Sequence, residues 1–295
     1  MPSIAGKIFI LGEYAVLGGE GAILAAVPER FELRPAGDQA LSFHPESPAG
    51  RWLNTLDAKK LKKISTYKFY DPRQGEGGFG ASTAQFALIY RELHPQADWR
   101  QAWRAYRSVT SDEPLPPSGA DLVSQWQGGV THFEPKTEKV QDLSTKIDWG
   151  RLMVFSATHQ SARKVATHEH LKQIENLQLH NPASLMKRKL KLIIDRGLRA
   201  ISETQFETLG EALTEYALTL KHFGLEIPET QADREAFAEI PGVLGAKGMG
   251  AMQSDGILVW TDGQIETREK VLSLAKTRNL KLVCDGLPKN EKGIQ

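Results

Sequence analysis

The feature that most constrains this chain is a glycine-rich segment at residues 75–86, GEGGFGASTAQF. Four of its first six residues are glycine, and helix-forming residues follow at once. Glycine allows positive φ and lets backbone N–H groups approach a ligand closely. A helix that begins at Ala81 directs its unpaired N–H groups and positive dipole end at an anion. The segment therefore predicts a phosphate-binding loop, and the alternative is a tight turn before a surface helix.

The spacing of this segment separates the known kinds of phosphate loop. Gly75, Gly77 and Gly80 satisfy G-x-G-x-x-G, but the next segment reads as a helix where a dinucleotide fold requires a strand. A Walker loop requires a lysine after its last glycine, and none is present there. Residues 78–84, GFGASTA, resemble instead the G-x-G-S-S-A loop of the GHMP kinases, named for galactokinase, homoserine kinase, mevalonate kinase and phosphomevalonate kinase. The resemblance implies that ATP is bound by Gly77, Gly78, Gly80, Ala81, Ser82 and Thr83.

A second matching segment, GKIFILGEYAVLGGEGAILAAV, begins at Gly6 and reads as two strands joined by glycine-rich turns. It resembles the first GHMP motif, although Ala5 stands where the family usually has proline. The resemblance makes Lys7 a catalytic residue near the transferred phosphate. It also assigns Glu13 and Tyr14 to the acceptor site. Taken alone, Lys7 would read as a solvated lysine at a strand end.

The segment PSGADLVSQWQGGVTHF resembles the S-G-x-D motif of mevalonate-type kinases, where a helix ends in G-G before a strand. By this resemblance Asp121 is the catalytic aspartate, and Ser118 and Gly119 contact the acceptor. Lys7 and Asp121 are then expected within salt-bridge range, because both must reach the transferred group. The alternative for Asp121 is an ordinary aspartate in the first turn of a helix, where the dipole favours it.

A magnesium ion is implied by the same resemblance, because kinases of this kind use it to hold the phosphates of ATP. Its expected ligands are Ser82 and an acid of the pair Asp112 and Glu113, with Glu113 preferred. The histidines at 159, 168 and 170 lack the i, i+4 spacing of a zinc helix, so surface histidines are expected there.

The third motif falls in LGAKGMGAMQSDGILVW, which resembles the K-x-(S/T)-G-A-G-G-G loop of the mevalonate-pathway kinases. Lys247, Gly250, Ala251 and Asp255 fall into register, whereas the residues MQS at 252–254 replace three glycines. Gly250 and Ala251 are thereby assigned to the acceptor site. The bulkier side chains are expected to narrow the site or alter the acceptor, and loss of activity is the alternative.

The segment THQSARKVATHEHL resembles a hydroxyl-rich stretch that these kinases place near the acceptor. Arg163 and Lys164 are the candidate contacts to an anionic acceptor, with Thr167 as a hydroxyl donor. The alternative is that these side chains are solvated at the head of a helix.

Composition limits the partners of the chain. Its 295 residues carry a formal charge of +1, so no overall field favours nucleic acid or an anionic membrane. The single cysteine, Cys284, excludes an intrachain disulfide and lies in an apolar run typical of a packed strand. No apolar run approaches membrane-spanning length, and the first residues lack a signal-peptide pattern. We expect a cytoplasmic protein with a small, anionic, mevalonate-type acceptor, and a homodimer is one option for its assembly.

Hydrophobic periodicity predicts the main elements of secondary structure. Helices are expected at 81–93, 99–109, 163–179, 183–203, 206–223 and 266–278, with a short one at 57–64. Strands are expected at 31–35, 40–43, 67–70, 151–158, 257–260 and 280–285.

The resemblance implies an α+β GHMP kinase fold in two parts. Residues 1–148 would form an ATP-binding domain like the second domain of ribosomal protein S5, and residues 149–295 a ferredoxin-like domain. The resemblance is weakest over residues 30–70, where the adenine pocket is expected. Phosphomevalonate is the favoured acceptor, from the GEYAVL turn and Asp255, and mevalonate is the alternative. A decarboxylase or a non-catalytic protein of the same fold is less favoured.

Overall fold

The computed structural model describes residues 1–37, 43–157, 174, 177, 181, 184–287 and 291–295. Nine strands lie in these ranges: β1 Ser3–Leu11, β2 Ala22–Pro35, β3 Tyr67–Tyr70, β4 Val130–Glu134, β5 Lys139–Asp142, β6 Leu152–Ser156, β7 Val243–Met249, β8 Gly256–Thr261 and β9 Lys281–Asp285. The α-helices of the described residues are α1 Pro48–Leu53, α2 Ala58–Ile64, α3 Ala81–Leu93, α4 Trp99–Val109, α5 Ala120–Gln127, α6 Leu185–Ser202, α7 Phe206–His222, α8 Pro228–Ala238 and α9 Ile265–Thr277.

The first sheet has the order β1-β2-β4-β5, and β3 pairs with the outer half of β2. All of these pairings are antiparallel. α3 and α5 pack against β1 and β2, so these strands are buried over most of their length. The catalytic candidates Lys7 and Asp121 therefore lie on a strand and a helix that pack against each other.

Local sequence signals explain where the helices of this half begin. The Asp98 side chain accepts a hydrogen bond from the backbone N–H of Gln101, and the Gln101 side chain accepts one from the backbone N–H of Asp98. The two bonds form a capping box for α4. Gly80 and Gly119 precede α3 and α5 with φ of 83° and 73°, a left-handed conformation that glycine adopts without steric cost.

The second sheet has the order β7-β8-β6-β9 and is antiparallel throughout. Its strand order is that of a ferredoxin-like domain, so the expected α+β fold is confirmed. α7 and α8 pack against β7, and α9 packs against β9. Within the described residues, none of the helices is both long and apolar enough to cross a membrane.

The main hydrophobic core is shared by the two halves. One buried cluster runs from β1 and β2 through α6 and α7 to Leu258 and Trp260 on β8. A smaller cluster around Phe155 and Phe237 fills the other side of the second sheet. Cys284 packs on β9 as expected, and burial raises the pKa of its thiol to about 12.

Most of the predicted elements are confirmed, but four features differ from the sequence interpretation. α1, α8 and β5 were not predicted, and the third motif continues as strand β7 up to Met249. The predicted helix at 163–179 falls almost entirely outside the described residues, as does most of the predicted strand at 40–43.

The last described residues return to the first sheet. Ser3 and Gln295 exchange two backbone hydrogen bonds of 3.1 and 2.9 Å, and the Ile294 N–H donates to the carbonyl of Trp126 at 3.2 Å. Arg30 holds residues 291–295 in place, because its guanidinium donates hydrogen bonds to the side chain of Glu291 and to the carbonyl of Gly293. Residues 291–295 thus pack on the first half of the chain, and the division at 148/149 stays a prediction.

Replacing Arg30 with alanine is expected to lower the free energy of unfolding by about 1–3 kcal/mol, because hydrogen bonds to a charged group are lost and carbonyls lose their donor. Urea unfolding measures this change. Arg34→Ala on the same strand is the matched control, since Arg34 pairs with Glu32 in a more exposed position. Equal effects of the two variants would show that the 291–295 segment is not held by Arg30.

Candidate active site

The glycine-rich loop has the backbone conformation that its sequence predicts. Gly78 and Gly80 have φ of 84° and 83°, and α3 begins directly after Gly80. The N–H of Lys7 donates to the carbonyl of Phe79 at 3.0 Å, which fastens the loop to β1. A Cβ at Gly80 would lie 3.1 Å from side-chain atoms of both Lys7 and Gln125. Both φ and space therefore favour glycine at this position.

The expected pair of Lys7 and Asp121 is present. Lys7 Nζ lies 3.1 Å from Asp121 Oδ2, and the lysine side chain is largely buried. Asp121 is in the first turn of α5, where the helix dipole favours a carboxylate. The structure thus brings a cation and a carboxylate together beside the loop that is predicted to bind phosphate.

A cleft of ≈ 310 Å³ opens next to this pair, with walls from both halves of the chain. The predicted site residues that line it are Lys7, Glu13, Tyr14, Gly78, Ser118, Gly119, Asp121, Gly250 and Ala251. Phe9, Val16 and Leu17 add an apolar wall that sequence reasoning missed. They lie in the apolar runs IFIL at 8–11 and AVL at 15–17, and such runs do not tell a cleft wall from a core.

Glu13 and Lys247 form an ion pair at the base of the cleft. Lys247 is fully buried, and its ammonium donates to Glu13 Oε1 and, at 2.9 Å, to the carbonyl of Gly248. Burial raises the pKa of Glu13 and lowers that of Lys247, while each partner opposes the effect on the other. Glu13 Oε2 is buried and accepts no hydrogen bond from the described residues. The first motif is thereby joined to the third.

The third motif keeps a glycine-like backbone without its glycines. Met252 and Gln253 have φ of 49° and 57°, in the left-handed region that costs a residue with a Cβ about 1–2 kcal/mol. The Met252 N–H donates to Tyr14 Oη at 2.8 Å, and Gln253 Oε1 accepts from the N–H of Gly248 at 2.9 Å. Contrary to the expectation of narrowing, the side chains at 252–254 do not line the described walls of the cleft.

Asp255 brings the third motif into contact with the glycine-rich loop. A Cβ placed on Gly78 would lie 2.9 Å from Asp255 Oδ2, so the carboxylate and the loop backbone are close neighbours. Burial raises the pKa of Asp255, and the nearby charge of Lys7 opposes this effect. The residues of three separate motifs thus converge around Lys7.

The residues assigned to ATP and to the metal lie in different surroundings. Thr83 is buried and shares a hydrogen bond with Tyr106, because the third residue of α3 faces the core. Asp112 pairs with Arg51 at 2.6 Å on the surface, whereas Glu113 is half-buried, with a pKa raised by burial. Ser82 is exposed in the first turn of α3. No group of three metal-binding side chains is present among the described residues.

The proposed acceptor contacts Arg163, Lys164 and Thr167 lie outside the described residues. Their assignment stays a prediction from the sequence.

Replacing Lys247 with methionine is expected to lower the free energy of unfolding by about 3–5 kcal/mol, because it leaves a buried charge without its partner. Burial then raises the pKa of Glu13 with little opposition, so folding binds a proton. The stability of the variant should fall as pH rises above the ordinary value of 4.5 for this carboxyl. Urea unfolding between about pH 5 and pH 8 measures this effect.

The matched control for this experiment is the double variant Glu13→Gln, Lys247→Met. It has no buried charge at either position, so it should regain stability and lose the extra pH dependence. If the stability of Lys247→Met depended on pH in the same way as that of the unchanged protein, Glu13 and Lys247 would not be a buried ion pair.

Comparison with known proteins finds similarity both in sequence and in structure. No family model matches the chain. The mevalonate kinase of Aeropyrum pernix is 26% identical over 299 residues, which cover 90% of this chain and 89% of that protein. The phosphomevalonate kinase of Streptococcus pneumoniae has a TM-score of 0.74 at 15% identity, and covers 96% of this chain and 98% of its own.

Two further structures extend this comparison. The same Streptococcus enzyme in complex with phosphomevalonate and AMPPNP has a TM-score of 0.72 at 14% identity, and the alignment covers 96% of this chain and 98% of that one. The mevalonate kinase of Methanococcus jannaschii has a TM-score of 0.68 at 13% identity, and covers 96% of both chains. The chain therefore has the fold of the GHMP kinases, and its three motifs and its similarity to a mevalonate kinase over 90% of its length resemble the mevalonate-pathway branch of that superfamily.

Proposed function

We propose that this protein transfers the γ-phosphoryl group of ATP to phosphomevalonate. The observation that carries the proposal is the Lys7–Asp121 pair, whose atoms lie 3.1 Å apart beside the glycine loop and at the wall of the cleft. Phosphoryl transfer requires mainly positioning and charge neutralisation, and this arrangement offers both.

The loop and the first turn of α3 would hold the phosphates of ATP. Backbone N–H groups at residues 78–82 and the positive end of the helix dipole suit an anion. The AMPPNP complex of the Streptococcus enzyme supports ATP as the nucleotide. Mg²⁺ would neutralise part of the phosphate charge when bound. Ser82, exposed at the head of α3, and Glu113 are the residues proposed to hold it.

Lys7 and Asp121 would divide the chemistry between them. The ammonium of Lys7 offsets negative charge on the transferred phosphoryl group. The carboxylate of Asp121 orients the acceptor oxygen, which is a phosphate oxygen in phosphomevalonate and a hydroxyl in mevalonate, and accepts its proton where that oxygen carries one. Their ion pair holds both groups in one geometry before the substrates arrive, which is the preorganisation that transition-state stabilisation requires.

The acceptor would lie against Glu13 and the apolar wall of Phe9, Val16 and Leu17. Glu13 Oε2 is buried without a hydrogen bond among the described residues, so it suits a hydroxyl donor of the acceptor. In the described lining of the cleft, Lys7 is the one cationic side chain, and it is already paired with Asp121. The phosphate of phosphomevalonate would then be met by Arg163, Lys164 and Thr167.

Mevalonate is the second candidate acceptor. It is favoured by the identity of 26% to the Aeropyrum mevalonate kinase and by the scarcity of cations in the described lining. An assay of ATP consumption with mevalonate, phosphomevalonate, homoserine and galactose distinguishes the two candidate acceptors. Turnover of none of the four would favour a non-catalytic protein of this fold.

The two leading acceptors differ in charge, which gives a test by mutation. If Arg163 and Lys164 bind the phosphate that phosphomevalonate carries and mevalonate lacks, Arg163→Ala should raise KM for phosphomevalonate several-fold more than KM for ATP. Added salt should weaken acceptor binding in the unchanged protein. Unchanged acceptor kinetics in the Arg163→Ala, Lys164→Ala double variant, together with turnover of mevalonate, would replace phosphomevalonate by mevalonate as the acceptor.

The role of the loop is tested by Gly80→Val. The added side chain meets Lys7 and Gln125 and requires valine at a φ of 83°, so ATP binding should be lost. Gly224→Val is the matched control, since Gly224 has a φ of 74° and open space around it. It should carry similar backbone strain and bind ATP normally in a calorimetric titration. Normal ATP binding by Gly80→Val would remove this loop from the site.

A further inference from the structure

Gln125 is a fully buried polar residue on α5, one helical turn after Asp121. Its side-chain nitrogen donates to the carbonyl of Ala5 on β1 at 3.0 Å and to the carbonyl of Gly80 at 3.3 Å. It therefore touches the strand that carries Lys7 and the last glycine of the phosphate loop, from the helix that carries Asp121.

The orientation of this amide follows from its neighbours. Ala5 and Gly80 both offer carbonyl oxygens, so the NH₂ group must face them, since an oxygen in its place would be repelled. Gln125 Oε1 is buried and accepts no hydrogen bond from the described residues. An unpaired buried oxygen costs free energy, so the benefit of this residue lies in its two donors.

The bond to Gly80 fixes one peptide group of the phosphate loop. The Gly80 carbonyl also accepts the N–H of Ala84 at 2.9 Å, the first hydrogen bond of α3. The peptide between Gly80 and Ala81 is planar and trans, so its N–H points opposite to its carbonyl. Gln125 thereby turns the Ala81 N–H away from the core, to the side where the helix end faces an anion.

The same residue sets the distance between α5 and β1. Asp121 and Gln125 are four residues apart on the helix and meet Lys7 and Ala5, which are two residues apart on the strand. Successive helical turns and alternate strand residues are similarly spaced, so the two contacts lie side by side.

We propose that Gln125 is a positioning residue that couples the phosphate loop to the Lys7–Asp121 pair. It acts through the Gly80 carbonyl and does not touch ATP itself. The inference rests on the proposed use of ATP, but it is independent of which acceptor is phosphorylated.

The first test is Gln125→Met, which keeps the length of the side chain and removes both donors. The Kd for ATP should rise about fivefold to tenfold, which corresponds to the loss of about one hydrogen bond to the loop. The KM for the acceptor should change much less. Ser124→Ala is the matched control, because Ser124 is equally buried on α5 and its hydroxyl has no partner among the described residues. It should leave the Kd for ATP unchanged.

The second test is Gln125→Glu, which replaces the donors by a titratable group. Burial and two facing carbonyls raise the pKa of the introduced carboxyl, and only its protonated form donates a hydrogen bond. ATP affinity, measured relative to the unchanged protein at each pH, should therefore fall as pH rises. A residue that serves packing alone would give no such pH dependence.

The outcomes separate this inference from the proposed function. Failure of the unchanged protein to bind ATP would defeat the proposed function and this inference with it. Normal ATP binding by the unchanged protein and by Gln125→Met would overturn the role of Gln125 alone. If Gln125→Met does not fold at the assay temperature, the pH profile of Gln125→Glu decides, and a profile parallel to that of the unchanged protein overturns the inference.

Discussion

The buried ion pair of Glu13 and Lys247 is the interaction on which the arrangement of the site depends. Glu13 follows β1 in the first half of the chain, and Lys247 lies on β7 in the second sheet. A buried charge without a partner costs free energy. The pair therefore strongly favours the relative position of the two halves in which Glu13 and Lys247 meet. In that position Asp255 lies against the glycine-rich loop, and the cleft acquires walls from both halves.

The same junction explains how a third motif without its glycines keeps its path. Met252 and Gln253 occupy left-handed conformations, and the cost is offset by hydrogen bonds that the loop makes on two sides. The hydroxyl oxygen of Tyr14 accepts a hydrogen bond from the Met252 N–H. The hydroxyl of Thr230 on α8 donates one to the carbonyl of Gln253 at 2.8 Å. Such strain persists where surrounding structure determines the conformation strongly, and here neighbours from both halves do so.

Much of the site could be predicted from the sequence, because its parts are local patterns with a fixed backbone geometry. The glycines at 78 and 80, Lys7 and Asp121 belong to such patterns, and the structure brings them together. The pairing of Lys247 with Glu13 could not be predicted, since residues more than two hundred positions apart meet only through tertiary packing. Thr83 lies in the expected motif, but helical periodicity turns its side chain to the core, where it shares a hydrogen bond with Tyr106. α8 was missed because its apolar residues are few and its buried Asp233 and Arg234 read as surface.

The return of residues 291–295 to the first sheet links the structure to the order in which it is made. Ser3 and Gln295 are hydrogen-bonded neighbours, although nearly the whole described chain separates them. When the first half has left the ribosome, residues 291–295, which Arg30 holds beside β1 by hydrogen bonds, have therefore not yet been synthesised. Contacts of such sequence separation form late, because loop closure must precede them. The first half of the chain thus gains these contacts only when residues 291–295 have been synthesised.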